Sequence, residues 1–181
     1  MPETRLRPQT IQPGVCAPGR SRVELLSMDS ITVRAAVPDD FDEILDLWNS
    51  FDRHVGLEDR REHLLALHAF SPELFLVAEK GGKIAGTLIA GWDGWRAQMA
   101  RLATRSDARR SGVARLLVGE GELRLRERGA NRIYALVDRR SAPAGPFWSA
   151  LGYAPNEDVI QYSRNLVQEA ADAGRHDSRS A

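Results

Sequence analysis

The chain is nearly without cysteine and lysine. Its 181 residues hold one cysteine, Cys16, and two lysines, Lys80 and Lys83. A lone cysteine excludes an intrachain disulfide and a thiolate metal cluster. Net charge is missing too, because 25 Lys and Arg balance 25 Asp and Glu. Bulk nucleic-acid binding needs a basic footprint, so this balance speaks against it and leaves only local basic patches. The excess of Arg over Lys reads as codon bias. No apolar run approaches the roughly 18 residues of a membrane span. The Arg- and Pro-containing N-terminus lacks the apolar centre of a secretory signal. Of the four histidines, His54, His63, His68 and His176, the middle two are five apart, off the i, i+4 spacing of a helical zinc pair. The expectation is a cytoplasmic protein with no metal, no nucleic-acid partner and no membrane partner.

What is present is an ordinary globular mix, 43% hydrophobic and 28% charged, enough for one core. Residues 1–30 read as a disordered extension, broken by Pro2, Pro8, Pro13, Gly14, Pro18 and Gly19. A start at Met28 would place Met-Asp-Ser-Ile-Thr-Val-Arg directly ahead of the first strand. Residues 31–166 read as the domain and 167–181 as a flexible tail.

Inside the domain the pattern is dense. Ile31 to Ala35 alternates as a strand. Pro38-Asp39-Asp40 opens a helix with acidic residues in its first turn, and Phe41, Ile44, Leu45, Trp48 and Phe51 share one face. A weaker helix is expected from Glu58 to Phe70, stopped by Ser71-Pro72. Leu74 to Ala78, Ile84 to Gly91 and Trp95 to Thr104 read as a three-stranded antiparallel meander, with turns at Gly81-Gly82 and Asp93-Gly94. A helix follows from Gly112 to Arg128, with Val113, Ala114, Leu117, Val118, Gly121 and Leu125 in one stripe and Gly129 as its stop. Arg132 to Val137 is a strand, Ala142 to Leu151 a short helix ended by Gly152, and Asp158 to Leu166 a last alternating strand. The fold class is α/β, with a mixed central sheet in which the meander precedes a β-α-β-α-β half.

The chemistry lies in Leu102-Ala103-Thr104-Arg105-Ser106-Asp107-Ala108-Arg109-Arg110-Ser111-Gly112-Val113-Ala114. A strand ends, a polar turn follows, and a helix begins at a glycine. The first N–H groups of a helix have no internal partners and lie at the positive end of its dipole, which makes an anion site. Gly112 lets a phosphate approach the backbone. Arg109 and Arg110 add positive charge, and a pyrophosphate spans several N–H groups better than a carboxylate does.

This segment and its surroundings resemble the GNAT superfamily of N-acetyltransferases. The family signature Arg/Gln-x-x-Gly-x-Gly/Ala corresponds to Arg109-Arg110-Ser111-Gly112-Val113-Ala114. A second pattern, Asn-x-x-Ala-x-x-Phe-Tyr followed by Leu-Gly-Phe/Tyr, corresponds to Ser141-Ala142-Pro143-Ala144-Gly145-Pro146-Phe147-Trp148-Ser149-Ala150-Leu151-Gly152-Tyr153. The resemblance covers residues 31–166 and implies acetyl-CoA or a related acyl-CoA as cosubstrate. It implies the pyrophosphate on the N–H groups of Arg110 to Ala114. The pantetheine arm would lie along the splayed end of the meander's last strand, at Leu102 and Thr104. The acyl carbonyl would meet a backbone N–H near Leu102 or Ala103. It implies direct attack by a small-molecule or peptide amine with no acyl-enzyme, and it allows a homodimer.

The chain departs from the family at the proton-handling positions. Gln98 stands where relatives carry a strand glutamate as base, Trp148 where the thiolate partner is Tyr, and Ser141 where a cofactor-contacting Asn is usual. An indole N–H donates a hydrogen bond but does not act as an acid at neutral pH. No catalytic residue is assigned, and Tyr153 is a fallback acid whose alternative is a core role. Two further readings stand beside the enzyme: a non-catalytic acyl-CoA-binding module, and an interaction domain that does not bind CoA. Asp52, His54, Glu58 and Asp59 fall where the family builds its acceptor wall or in a solvated loop. Arg101 faces either an anionic acceptor or an acidic neighbour. Trp92 and Trp95 either pack a dimer surface or cover the sheet edge.

Overall fold

The structure is a computed structural model and describes residues 30–51, 59–138, 141–164 and 166. Strand β1 (Ile31–Ala35) leads through a one-turn 3-10 segment, Pro38–Asp40, into α1 (Phe41–Asn49); α2 (Arg61–Phe70) follows. The meander is β2 (Phe75–Lys80), β3 (Lys83–Trp92) and β4 (Ala97–Thr104). Then come α3 (Val113–Glu127), β5 (Ile133–Ala135) and α4 (Ala144–Ala150). The sheet runs in order β1-β2-β3-β4-β5, with β1 to β4 antiparallel and β5 parallel to β4.

A sheet covered on both faces needs strands that are apolar on both faces. β2 shows this: Phe75 and Val77 face one core with Phe41, Ile44, Trp48 and Leu64 of α1 and α2. Leu76 and Ala78 face the other with Leu88, Met99, Val113, Leu117 and Leu125. The buried stripe of α3 is the expected one, except that Ala114 is only partly buried. Leu47 joins Phe41, Ile44 and Trp48 on the buried face of α1, beyond the expected set, whose Leu45 is only partly buried. Two adjacent residues can both be buried because α1 is covered by the sheet on one side and α2 on another.

Both late helices stop as their glycines foretold. Gly129 N–H bonds Arg126 O at 2.9 Å and Ala130 N–H bonds Leu125 O at 3.0 Å. After α4, Gly152 N–H bonds Ser149 O and Tyr153 N–H bonds Trp148 O, both at 3.0 Å. These are paired Schellman bonds, and the Trp148–Tyr153 ring contact at 4.8 Å supplies the apolar clasp such ends favour.

Some expectations shift. β4 begins at Ala97, not Trp95, because the Asp93 carboxylate accepts the N–H groups of Trp95 and Arg96 and holds both in the turn. Those donors also keep the Asp93 carboxyl below its usual range. α2 begins at Arg61, and the expected start at Glu58 lies outside the described residues, as do residues 1–29 and 167–181. β5 is three residues long, although Leu136 N–H still reaches Met99 O at 3.1 Å. The closing strand is not formed: residues 158–164 are in no strand, and Val159, Ile160 and Tyr162 are exposed. Alternation says which side chains share a face, but a strand needs a ladder, and β5 offers only three residues.

α3 lies unusually close to the sheet. A Cβ on Gly86 of β3 would sit 2.7 Å from both the Ala103 carbonyl oxygen and Val113 Cγ1. On Gly121 it would sit 2.9 Å from Leu88 Cδ2. Gly86→Ala is therefore expected to destabilise by about 1–3 kcal/mol, as overpacking does. Gly119→Ala, on the open side of the same helix, should stabilise by roughly 1 kcal/mol through helix propensity. Urea denaturation midpoints of the two variants, moving in opposite directions, check both.

The entry to α1 is held by charge. Asp40 Oδ2 accepts Arg34 Nη1 at 2.6 Å and the Val37 N–H at 2.8 Å. The Arg34 bond, then the Val37 bond, lowers the Asp40 carboxyl below its ordinary value. A depressed carboxyl stabilises the fold above its unfolded pKa, near 4, and that stabilisation is lost as pH falls through the folded value. Asp40→Asn should cost about 1–2 kcal/mol at pH 7, at the modest end because Arg34 is over a third exposed. The difference from wild type should shrink in denaturation curves taken below pH 4.

Candidate active site

β4 and β5 separate along their length. Their parallel pairs are Ala97 with Ile133, Gln98 with Tyr134 and Met99 with Ala135, and the ladder ends there. β4 continues five residues further, to Thr104, and among the described residues no strand lies against its β5 side there. On its other side it stays bound to β3, through Ala103 opposite Thr87, Thr104 opposite Gly86, and Arg105 N–H to Ala85 O at 2.9 Å. Leu102, Ala103 and Thr104 are thus half-buried on a strand that pairs on one side only among the described residues.

That same stretch carries a bulge. Thr87 opposes Ala103 and Ile89 opposes Ala100, so Leu88 alone faces Arg101 and Leu102. Arg101 has φ +53°. A left-handed conformation in a long side chain costs about 1–2 kcal/mol, so the surroundings must hold it. They do so through both ends of the residue. Its carbonyl accepts Thr87 Oγ1 at 3.0 Å, and its Nη2 donates to Asp59 Oδ1 at 2.6 Å. Its guanidinium lies over the Trp48 ring at 5.3 Å. Of the two readings of Arg101, the acidic neighbour is the observed one.

After Thr104 the chain turns through Ser106–Ala108 into α3. Arg105 Nε bonds Asp107 Oδ1 at 2.6 Å and its Nη1 reaches Ile84 O at 3.3 Å. The guanidinium keeps the Asp107 carboxyl low, and it offsets the one acidic charge in the turn. Buried Ala108 anchors the turn from beneath, and Ser111 Oγ bonds its carbonyl at 2.7 Å.

The turn ends in two left-handed residues, Arg110 at φ +61° and Gly112 at φ +91°. At Gly112 any L side chain would be strained although space is open around it. The first bond into α3 is Leu116 N–H to Gly112 O at 3.0 Å. Among the described residues no acceptor takes the N–H groups of Arg110, Ser111, Gly112, Val113 or Ala114. A run of unpartnered backbone donors at a helix start is the kind of feature to which anions bind. The Arg109 guanidinium lies 6.0 Å from the Phe51 ring centroid, and no carboxylate neutralises Arg109 or Arg110 among the described residues. The five-residue run, left-handed twice, is more than an ordinary helix start supplies.

The residues of the second motif are placed otherwise. Trp148 belongs to the core, edge-on to Phe147 and Tyr153, and its indole N–H donates to no group among the described residues. Tyr153 hydroxyl donates to Glu122 Oε1 at 2.9 Å on α3. Burial, and then that bond, push its pKa upward, away from the range of a useful acid. Ser141 is half-buried ahead of α4, its N–H on Asp138 O at 2.9 Å. Gln98 is exposed on β4, which carries no carboxylate. Asp52, His54 and Glu58 lie outside the described residues.

Trp48, Gly86 and Thr87 went unread as site residues. Thr87 had a signal, being the only hydroxyl inside the apolar strand 84–91, but its partners are 39 and 14 residues away and only folding names them.

The family whose sequence model matches this chain is described as "Acetyltransferase (GNAT) family", over residues 41–153. An acetyltransferase of Sodalis glossinidius is 28% identical over 137 residues, 76% of this chain and 96% of that protein. An acetyltransferase of Photorhabdus laumondii is 32% identical over 143 residues, 75% of this chain and 95% of that protein. Among solved structures, yncA of Salmonella typhimurium, determined with its cofactor acetyl-CoA, superposes with a TM-score of 0.59. It covers 68% of this chain and 79% of its own at 19% identity, a likeness of fold. The run of backbone donors, the one-sided pairing of β4 and these matches have one conclusion: the chain belongs to the acetyltransferase (GNAT) family.

Proposed function

We propose that the chain transfers an acyl group, acetyl in the first instance, from acyl-CoA directly to an amine of its acceptor. The observation that carries this is the run of five unpartnered N–H groups, Arg110 to Ala114, set beside the open edge of β4. The cradle suits a pyrophosphate, with Arg109 and Arg110 adding charge. The edge at Leu102 and Thr104 suits an arm that carries amide groups and binds as an added strand. The bulge suits the thioester carbonyl, polarised by the N–H of Leu102 or Ala103. The acetyl-CoA in the Salmonella typhimurium structure supports the same cosubstrate here. Ser141 would contact the cofactor, and Trp148 would offer the departing thiolate its indole N–H, which has no partner among the described residues. The domain carrying this activity is residues 31–166.

Catalysis then rests on position and backbone polarisation more than on a titrating side chain. The acceptor ammonium must lose a proton before attack, and the thiolate, with a free pKa near 8.5, can leave without a strong acid. The absence of a carboxylate from β4 and the commitment of Tyr153 to Glu122 favour one competing reading, a domain that binds acyl-CoA without turning it over. Thiol release across a panel of primary amines separates the two.

Acetyl-CoA at a hundredfold over its Kd should raise the stability of the full chain by about 2.7 kcal/mol. That is roughly 5–10 °C in thermal unfolding for a domain of this size. Gly112→Asp should abolish the rise through strain, bulk and repulsion of the pyrophosphate; a rise that survives it places the cosubstrate elsewhere. A second expectation concerns pH. If no side chain serves as base, the midpoint of kcat/KM against pH should move with the pKa of the amine offered. A midpoint held at one pH across amines would instead reveal a protein base.

A further inference from the structure

The bulge in β4 is held by a buried relay. Trp48 Nε1 donates to Thr87 Oγ1 at 2.8 Å, and Thr87 Oγ1 donates to the Arg101 carbonyl at 3.0 Å. Thr87 is fully buried and Trp48 nearly so. The direction of the relay is forced. An indole N–H only donates, so the hydroxyl must accept from Trp48, and among the described residues its one proton has only Arg101 O to serve. A trans peptide points its C=O and N–H oppositely, and the described chain has no cis bond. The bond that draws the Arg101 carbonyl toward Thr87 therefore turns the Leu102 N–H away from it.

The left-handed Arg101 makes such a hold necessary. Its carbonyl is fixed by Thr87, its guanidinium by Asp59, and its cationic face by the ring of the same Trp48 that orients Thr87. One tryptophan thus serves both ends of the strained residue. Asp59 Oδ2 is buried without a partner among the described residues, so the carboxylate's hold on the cluster runs through Arg101 alone.

We infer that Thr87 and Trp48 are positioning residues for acyl transfer. Their relay sets the peptide plane at the bulge and so aims the Leu102 N–H at the thioester carbonyl. This rests on the proposed placement of the acyl group at the bulge. The hydrogen bonds of Thr87 and Trp48 run to each other and to Arg101 and not to residues 110–114, so acetyl-CoA binding and carbonyl polarisation should separate when the relay is cut.

Thr87→Val keeps shape and removes the hydroxyl, whereas Thr87→Ser keeps the hydroxyl and removes a methyl. The readout is the carbonyl stretch of carbonyl-13C-labelled acetyl-CoA bound to the full chain, alongside its Kd from titration. In wild type and Thr87→Ser the stretch should fall on binding to a lower wavenumber. In Thr87→Val it should return toward the free value, with Kd changed by less than about fivefold, the worth of one ordinary hydrogen bond. With an amine that the wild type accepts, kcat of Thr87→Val should drop about ten- to a hundredfold, and Thr87→Ser should recover most of it. A wild-type stretch or wild-type kcat in Thr87→Val overturns the inference. So does a Thr87→Ser variant that fares worse than Thr87→Val, which would make the residue a packing element. Wild-type protein that binds acetyl-CoA with an unshifted stretch overturns the acyl placement and the relay together. Wild-type protein that does not bind acetyl-CoA overturns the functional reading itself, and the inference with it.

Discussion

The close approach of α3 to β3 and β4 is the constraint on which the site depends. Gly86 is where it is tightest, since an added Cβ there would strike both the Ala103 carbonyl and Val113. Ala103 lies in the strand proposed to hold the acyl end of the cofactor. Val113 is the first residue of the helix whose start forms the proposed cradle. The absence of one side chain on β3 thus sets the distance between the two halves of the proposed site. Gly121, two turns along, holds the same spacing against Leu88 and Met99.

From that contact the layers sort the work. The α3 face carries the larger apolar cluster, into which Trp148 and Tyr153 pack from the far end. The α1–α2 face carries Trp48, Thr87 and Arg101, which restrain the bulge. Cradle and bulge are only about ten residues apart in sequence, yet they are stabilised from opposite sides of the sheet. On the proposed reading, binding the anion and orienting the carbonyl are therefore separable physical tasks, and substitutions can address one without the other.

The chemistry is lean in titratable groups. Among the described residues, three carboxylates near the site have partners: Asp107 with Arg105, Asp59 with Arg101, Glu122 with the Tyr153 hydroxyl. The Arg105 guanidinium holds the Asp107 carboxyl below its usual value, which makes that group a poorer base near neutrality. What the site holds in abundance is oriented backbone. Such dipoles need no reorganisation as charge develops, which is why positioning alone can account for a large part of a rate gain.

Much of this was legible in the chain itself. The apolar periods of α1 and α3, the Gly-Gly hairpin and the glycine stops are local signals, and local signals act through neighbours a few residues apart. The helix start with its run of backbone donors was legible for the same reason, because Arg109 to Ala114 is one short segment. What needed the tertiary structure was everything that depends on residues far apart in sequence. The direction of the Arg101 carbonyl is decided by Thr87 and Trp48, the partner of Arg101 by Asp59, and the core role of Trp148 by Tyr153 and the sheet. The stretch from Asp158 to Arg164 shows the converse, for it has the alternation of a strand and no ladder to join. Periodicity belongs to the chain, but hydrogen-bond partners and burial belong to the packed molecule.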